Sequence, residues 1–83
     1  MRKAIHSDLH RLYLALLKEA RLKAGLTQAQ VAERLGKPQS FVAKYEGGER
    51  RLDVLEFLSV VRAIGADPVR VLRQLEAGER ARH

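Results

Sequence analysis

His6 and His10 stand four residues apart, a spacing that puts two imidazoles on one helical face, where they could share a metal ion. Nothing completes such a site. The chain has no cysteine, which removes thiolate ligands, disulfides and a thiol nucleophile. No carboxylate pair of suitable spacing lies nearby. There is also no nucleophilic triad, phosphate-binding glycine loop or matched acid–base pair. The sequence therefore predicts no metal, no cofactor and no enzyme. The side chains that retain a chemical use are amides, a hydroxyl and cations between Gln28 and Arg51, in a segment punctuated by glycines.

The charge points the same way. Sixteen Lys and Arg against ten Asp and Glu give a net charge of +6. Residues 1–25 hold six basic and two acidic groups, residues 26–52 five and three, and residues 53–83 five and five. A basic N-terminal two-thirds joined to a neutral C-terminal third suits a surface that faces a polyanion. A charge that serves only solubility would look the same.

These residues must be positioned by helices, because apolar residues recur at helical spacing and no stretch alternates with the period of a strand. Leu9, Leu12, Tyr13, Leu16, Leu17 and Ala20 form one stripe, so a first helix is expected from about Asp8 to Ala24. Ser7 or Asp8 would cap it and Gly25 would end it. Thr27 with Gln30 makes a capping box for a second helix ending at Gly36. Pro38 opens a third, which runs to Tyr45 or Glu46 before Gly47-Gly48. Asp53 with Glu56 starts a fourth, stopped by Gly65, and its apolar residues cover an arc of roughly 220° at ~100° per residue. So wide an arc must be central or covered by a partner. Asp67-Pro68 starts a fifth helix, and residues 78–83 read as a frayed basic tail. At 83 residues the chain is one domain, 1–83, too short for large catalytic barrels. It has no apolar run near the ~20 residues of a membrane span and no signal-peptide core, so a cytoplasmic, nucleoid-associated protein is expected.

Residues 28–47 carry the most information. Two short helices flank a turn containing Gly36, with small Ala32 where the helices must cross and anchors at Val31, Leu35, Val42 and Tyr45. This is the pattern of a helix-turn-helix, whose second helix enters the DNA major groove.

The run Gly25-Leu26-Thr27-Gln28-Ala29-Gln30-Val31-Ala32-Glu33-Arg34-Leu35-Gly36, then Pro38-Gln39-Ser40-Phe41-Val42 and Glu46-Gly47-Gly48-Glu49-Arg50, resembles the Cro/C1-type (XRE-like) helix-turn-helix family. That family includes lambdoid phage repressors, restriction–modification controllers and many small bacterial regulators. The resemblance spans roughly Leu12 to Leu75. It implies an all-α, compact five-helix, lambda-repressor-like domain that binds double-stranded DNA.

It also assigns roles. Gln28 matches a glutamine that holds a backbone phosphate and buttresses the recognition helix, as suits an amide beside the free N–H groups of a helix start. Gln39, Ser40 and Lys44 match base-contacting positions. Glutamine can pair with adenine and lysine with guanine, although any of the three could instead meet phosphate or water. Phe41 either touches a thymine methyl or packs toward the second helix. Arg21 and Glu46 match a structural salt bridge between the first and third helices. Lys37, Arg50 and Arg51 occupy loops that contact phosphates in relatives, and Lys37 stands where the family often has an apolar residue.

The reading is a sequence-specific transcriptional regulator, repressor-like and binding its operator as a homodimer. Val60, Val71 and Leu75 in the neutral third are the expected dimer interface. The alternative is a protein–protein module or antitoxin whose C-terminal helices bind a toxin or polymerase subunit.

Overall fold

In the computed structural model the described residues are 2–81, with side chains described for 8–81. Five helices follow in order: α1 Arg2–Lys23, α2 Gln28–Leu35, α3 Gln39–Glu46, α4 Val54–Ile64 and α5 Pro68–Ala81. No strand occurs among the described residues.

The boundaries follow local chemistry. Thr27 accepts the Gln30 N–H at 3.1 Å, and its own N–H donates to the Gln30 side chain at 2.8 Å. Asp53 accepts from the Glu56 N–H at 2.7 Å and donates its own N–H back at 3.0 Å. Each box satisfies two otherwise orphaned donors. Gly36 and Gly65 end α2 and α4 at φ 68° and 87°, left-handed values that glycine adopts without a Cβ penalty.

Two boundaries differ from the sequence reading. The helix expected from Asp8 begins at Arg2, so Ser7 and Asp8 lie inside it and neither is its cap. The expected tail is helical from Gly78 to Ala81, while residues 82 and 83 lie outside the described residues. The ordering of 78–81 has a packing reason. A Cβ on Gly78 would come 2.2 Å from Leu12 Cδ2, so the missing side chain lets α5 lie close against α1.

Leu17, Val31, Ala32, Val42, Tyr45, Phe57, Val60, Val61, Ile64 and Val71 form one core drawn from all five helices. Helices α2 and α3 pack together with the small residue Ala32 buried, and the Arg34 guanidinium ties α2 to α4 by donating to the Ala63 carbonyl at 2.8 Å. The wide apolar arc of α4 is explained by its central place, with Phe57, Val60, Val61 and Ile64 all buried. This corrects the expected dimer surface. Val60 is 1% exposed and Val71 4%, so neither can meet a second molecule. The exposed large apolar side chains are instead Val54 and Leu55 on the first turn of α4, 72% and 75% exposed, Val69 and Leu72 on α5, and Leu22 on α1.

Candidate nucleic-acid interface

Helix α3 turns Val42 and Tyr45 into the core and leaves Gln39, Ser40, Ala43 and Lys44 exposed. At ~100° per residue those four share an outward arc of roughly 140°. An amide, a hydroxyl and an ammonium on one convex face can all bond to base edges or phosphates.

The helix is braced from behind. Arg21 Nε donates to Glu46 Oε2 at 2.7 Å and Nη2 to Oε1 at 3.0 Å, with side-chain exposures of only 9% and 5%. The third guanidinium nitrogen, Nη1, donates to the Leu26 carbonyl at 2.9 Å. Gln28 Nε2 adds a bond to Glu46 Oε1 at 3.0 Å. One clamp therefore joins α1, the α1–α2 turn, the start of α2 and the end of α3. Its parts satisfy one another, as buried charge requires. Gln28 has a second amide proton left for an anion beside the N-terminus of α2.

Burial alone would raise the Glu46 pKa, but the Arg21 and Gln28 bonds outweigh it and hold the carboxyl below its ordinary 4.5. A depressed carboxylate stabilises the fold above its unfolded pKa, and this is lost as pH falls through the lower folded value. Melting temperature is therefore expected to be level above about pH 5 and to fall below it. Glu46→Gln should make that acid limb shallower in a pH series of melts. An equally steep limb would assign it to other carboxylates.

The loop cations are held unequally. Phe41 is half-buried, edge-on to Tyr45 with centroids 5.7 Å apart, and packs on the core. Lys37 Nζ lies 5.6 Å and Arg50 Cζ 5.0 Å from its ring centroid. The ring thus serves as a platform for both cations. Arg50 is also ion-paired with Glu56, so its charge is already compensated in the free protein, unlike the open phosphate-contacting cation expected from the sequence. Lys37, Lys44 and Arg51 are exposed and have no ion pair among the described residues.

The Arg50–Glu56 pair has no signal in the sequence, where Glu56 reads as half of a capping box. The His6 side chain lies outside the described residues.

The helix-turn-helix family model matches residues 17–71. An XRE-family-like protein from Pseudomonas syringae pv. tomato is 54% identical, covering 92% of this chain and 93% of its own, with TM-score 0.87. The chain belongs to the XRE-type helix-turn-helix family. XRE-type proteins are DNA-binding transcription regulators. The restriction–modification controller protein C.AhdI from Aeromonas hydrophila is also similar, at 28% identity over 78% of this chain and 97% of that one, TM-score 0.68. The clp gene regulator ClgR from Corynebacterium glutamicum is 23% identical over 89% and 79%, TM-score 0.76, which speaks to the fold alone. No curated protein matches. No helix among the described residues is long and apolar enough to cross a membrane.

Proposed function

We propose that this XRE-type protein binds a specific DNA operator as a homodimer and represses transcription there. The observation that carries the proposal is the exposed Gln39, Ser40 and Lys44 on a helix fixed by a buried four-part clamp. Gln39 and Ser40, at the N-terminal end of α3, reach base edges. Lys44, one turn on, reaches a base or the adjoining backbone. Gln28, Lys37 and Arg51 hold phosphates, and Arg50 contributes there only by leaving Glu56.

Binding-site selection from random duplexes tests this. Gln39→Ala removes a pairing worth roughly 1–3 kcal/mol of discrimination and should relax the consensus at one position per half-site. Gln28→Ala should weaken all sequences alike, because a phosphate contact carries no sequence information. An unchanged consensus for Gln39→Ala would remove Gln39 from base recognition.

A dimer is argued from size and surface. One short recognition helix reads too few base pairs to find a site in a genome. Two-fold symmetry places a pair of such helices one DNA turn apart, about 34 Å. The neutral C-terminal third lets two copies approach, and Val54, Leu72 and Leu75 line one groove of about 350 Å³ together with Leu9, Tyr13 and Phe57. Such an aliphatic patch can complement itself. Sedimentation at micromolar concentration should show a dimer, and Val54→Glu with Leu72→Glu should convert it to a 9.4 kDa species with weakened operator binding. A monomer in the parent, free and on DNA, would overturn the dimer. It would also turn this face over to a partner protein.

A further inference from the structure

The groove beside Val54 and Leu72 also holds polar groups that an aliphatic contact does not use. His10 and Tyr13 of α1 both line it, with ring centroids 6.1 Å apart. His10 Nε2 is buried and has no hydrogen-bond partner among the described residues. Leaving such an atom unpaired destabilises the free protein, and a partner entering the groove relieves it. Tyr13 packs on Phe57, with centroids 5.8 Å apart, and its hydroxyl donates to none of the described residues. Burial, with Glu56 and Asp53 nearby, pushes the Tyr13 pKa up to about 12, so the hydroxyl keeps its proton. The charged side chains of the groove are Arg51 and Asp53, one of each sign, and neither is ion-paired among the described residues. A carboxylate seated there would meet Asp53 and an ammonium would meet Arg51, so the groove favours no net charge. Its volume of about 350 Å³ is more than twice the ~150 Å³ that holds a benzene ring.

We infer that this groove binds an uncharged amphipathic small molecule, an aromatic or aliphatic ketone, ester or amide. Its carbonyl oxygen accepts from the Tyr13 hydroxyl and from His10 Nε2, which a small turn of the imidazole brings to face it. Its apolar body lies against Leu9, Phe57, Leu72 and Leu75. An apolar cleft with a few convergent polar groups is the usual form of such a site. In one respect the inference rests on the dimer reading above: the second copy needs the same groove, so ligand and second copy exclude one another. The molecule therefore acts as an inducer that separates the subunits and releases the operator. A ligand that binds only separated subunits, at ten times its dissociation constant, weakens the dimer roughly elevenfold per subunit and about a hundredfold in all.

Acetophenone and ethylbenzene, which differ by one carbonyl, are the probes, followed by nuclear magnetic resonance. Acetophenone should shift the Tyr13, Leu72 and Leu75 resonances and give Overhauser contacts to both leucines. Tyr13→Phe and His10→Phe should each weaken acetophenone about fivefold, the worth of one net hydrogen bond, and leave ethylbenzene unchanged. His10→Gln keeps a donor and should hold acetophenone better than His10→Phe does. Equal changes for the two probes in both phenylalanine variants would overturn the carbonyl seat. Groove resonances that stay still up to the solubility limit of acetophenone would overturn the site. Sedimentation with acetophenone at ten times its dissociation constant should show the hundredfold weaker dimer. A dimer of parental strength with its groove filled would overturn the competition. A parent that is monomeric without any ligand fails the dimer reading instead, and the resonance shifts then still decide the site.

Discussion

Arg21→Ala is expected to lower the melting temperature by at least about 12 °C, because removing one partner of a buried pair costs about 3–5 kcal/mol and each kcal/mol moves a domain of this size by about 4–8 °C. The size of the effect comes from what remains. Without the guanidinium, Glu46 keeps a single bond from Gln28, and the Leu26 carbonyl loses its donor. An uncompensated carboxylate and an unpaired carbonyl are then left at a site 5% exposed. Arg62→Ala, on the exposed side of α4, should change the melt by little. Arg21→Lys should fall between, since an ammonium keeps the charge but cannot bridge both carboxylate oxygens and the Leu26 carbonyl with the same planar geometry. Melting curves for Arg21→Ala and Arg62→Ala that coincide would mean the clamp is solvated in solution.

A well-packed apolar pair in the clamp's place could match it in stability. What apolar residues cannot supply is direction. The two parallel bonds to Glu46 and the third to the α1–α2 turn fix the rotation of α3 about its own axis as well as its distance from α1. Gln39, Ser40 and Lys44 depend on that rotation for their aim. The clamp is thus a positioning device for the exposed face, and its loss should weaken DNA recognition even at temperatures where the variant remains folded.

Much of the fold is legible in the sequence. The two capping boxes and the glycines at 36 and 65 are local devices, complete within four or five residues, and they set helix ends wherever the rest of the chain goes. The clamp was legible only through family resemblance, since nothing in the spacing of residues 21 and 46 brings them together. Ser7 and Asp8 are good caps, yet α1 begins upstream of both, at Arg2. A capping preference of about 1 kcal/mol does not stop a helix that can continue upstream. Val60 and Val71 belong to the core for a different reason. A helical wheel gives the width of an apolar arc but not which part of it neighbouring helices cover. In the fold Leu55 shares the exposed side of α4 with Ser59 and Arg62, and Val54 is exposed on its first turn, whereas Phe57, Val60, Val61 and Ile64 are buried. Arg50 likewise depended on a contact with Glu56 across the α3–α4 loop, which no periodicity encodes.

Affinity for operator DNA should fall steeply with salt, and the steepness should report how many cations take part. Each phosphate neutralised contributes about −0.9 to the slope of log affinity against log salt. Lys37, Lys44 and Arg51 are the uncompensated cations around α3, whereas Arg50 and Arg21 are already paired. Three per subunit predict a slope of about −5 for a dimer and about −3 for a monomer. That dimer slope costs roughly a thousandfold in affinity between 50 and 200 mM salt. The measurement is a fluorescence-anisotropy titration of one selected duplex across that range. A slope near zero would remove the electrostatic account altogether and leave the net charge of +6 as a solubility device. A slope near −3 would keep DNA binding but make the active species a monomer, so the apolar groove beside Val54 and Leu72 would have to serve some other partner.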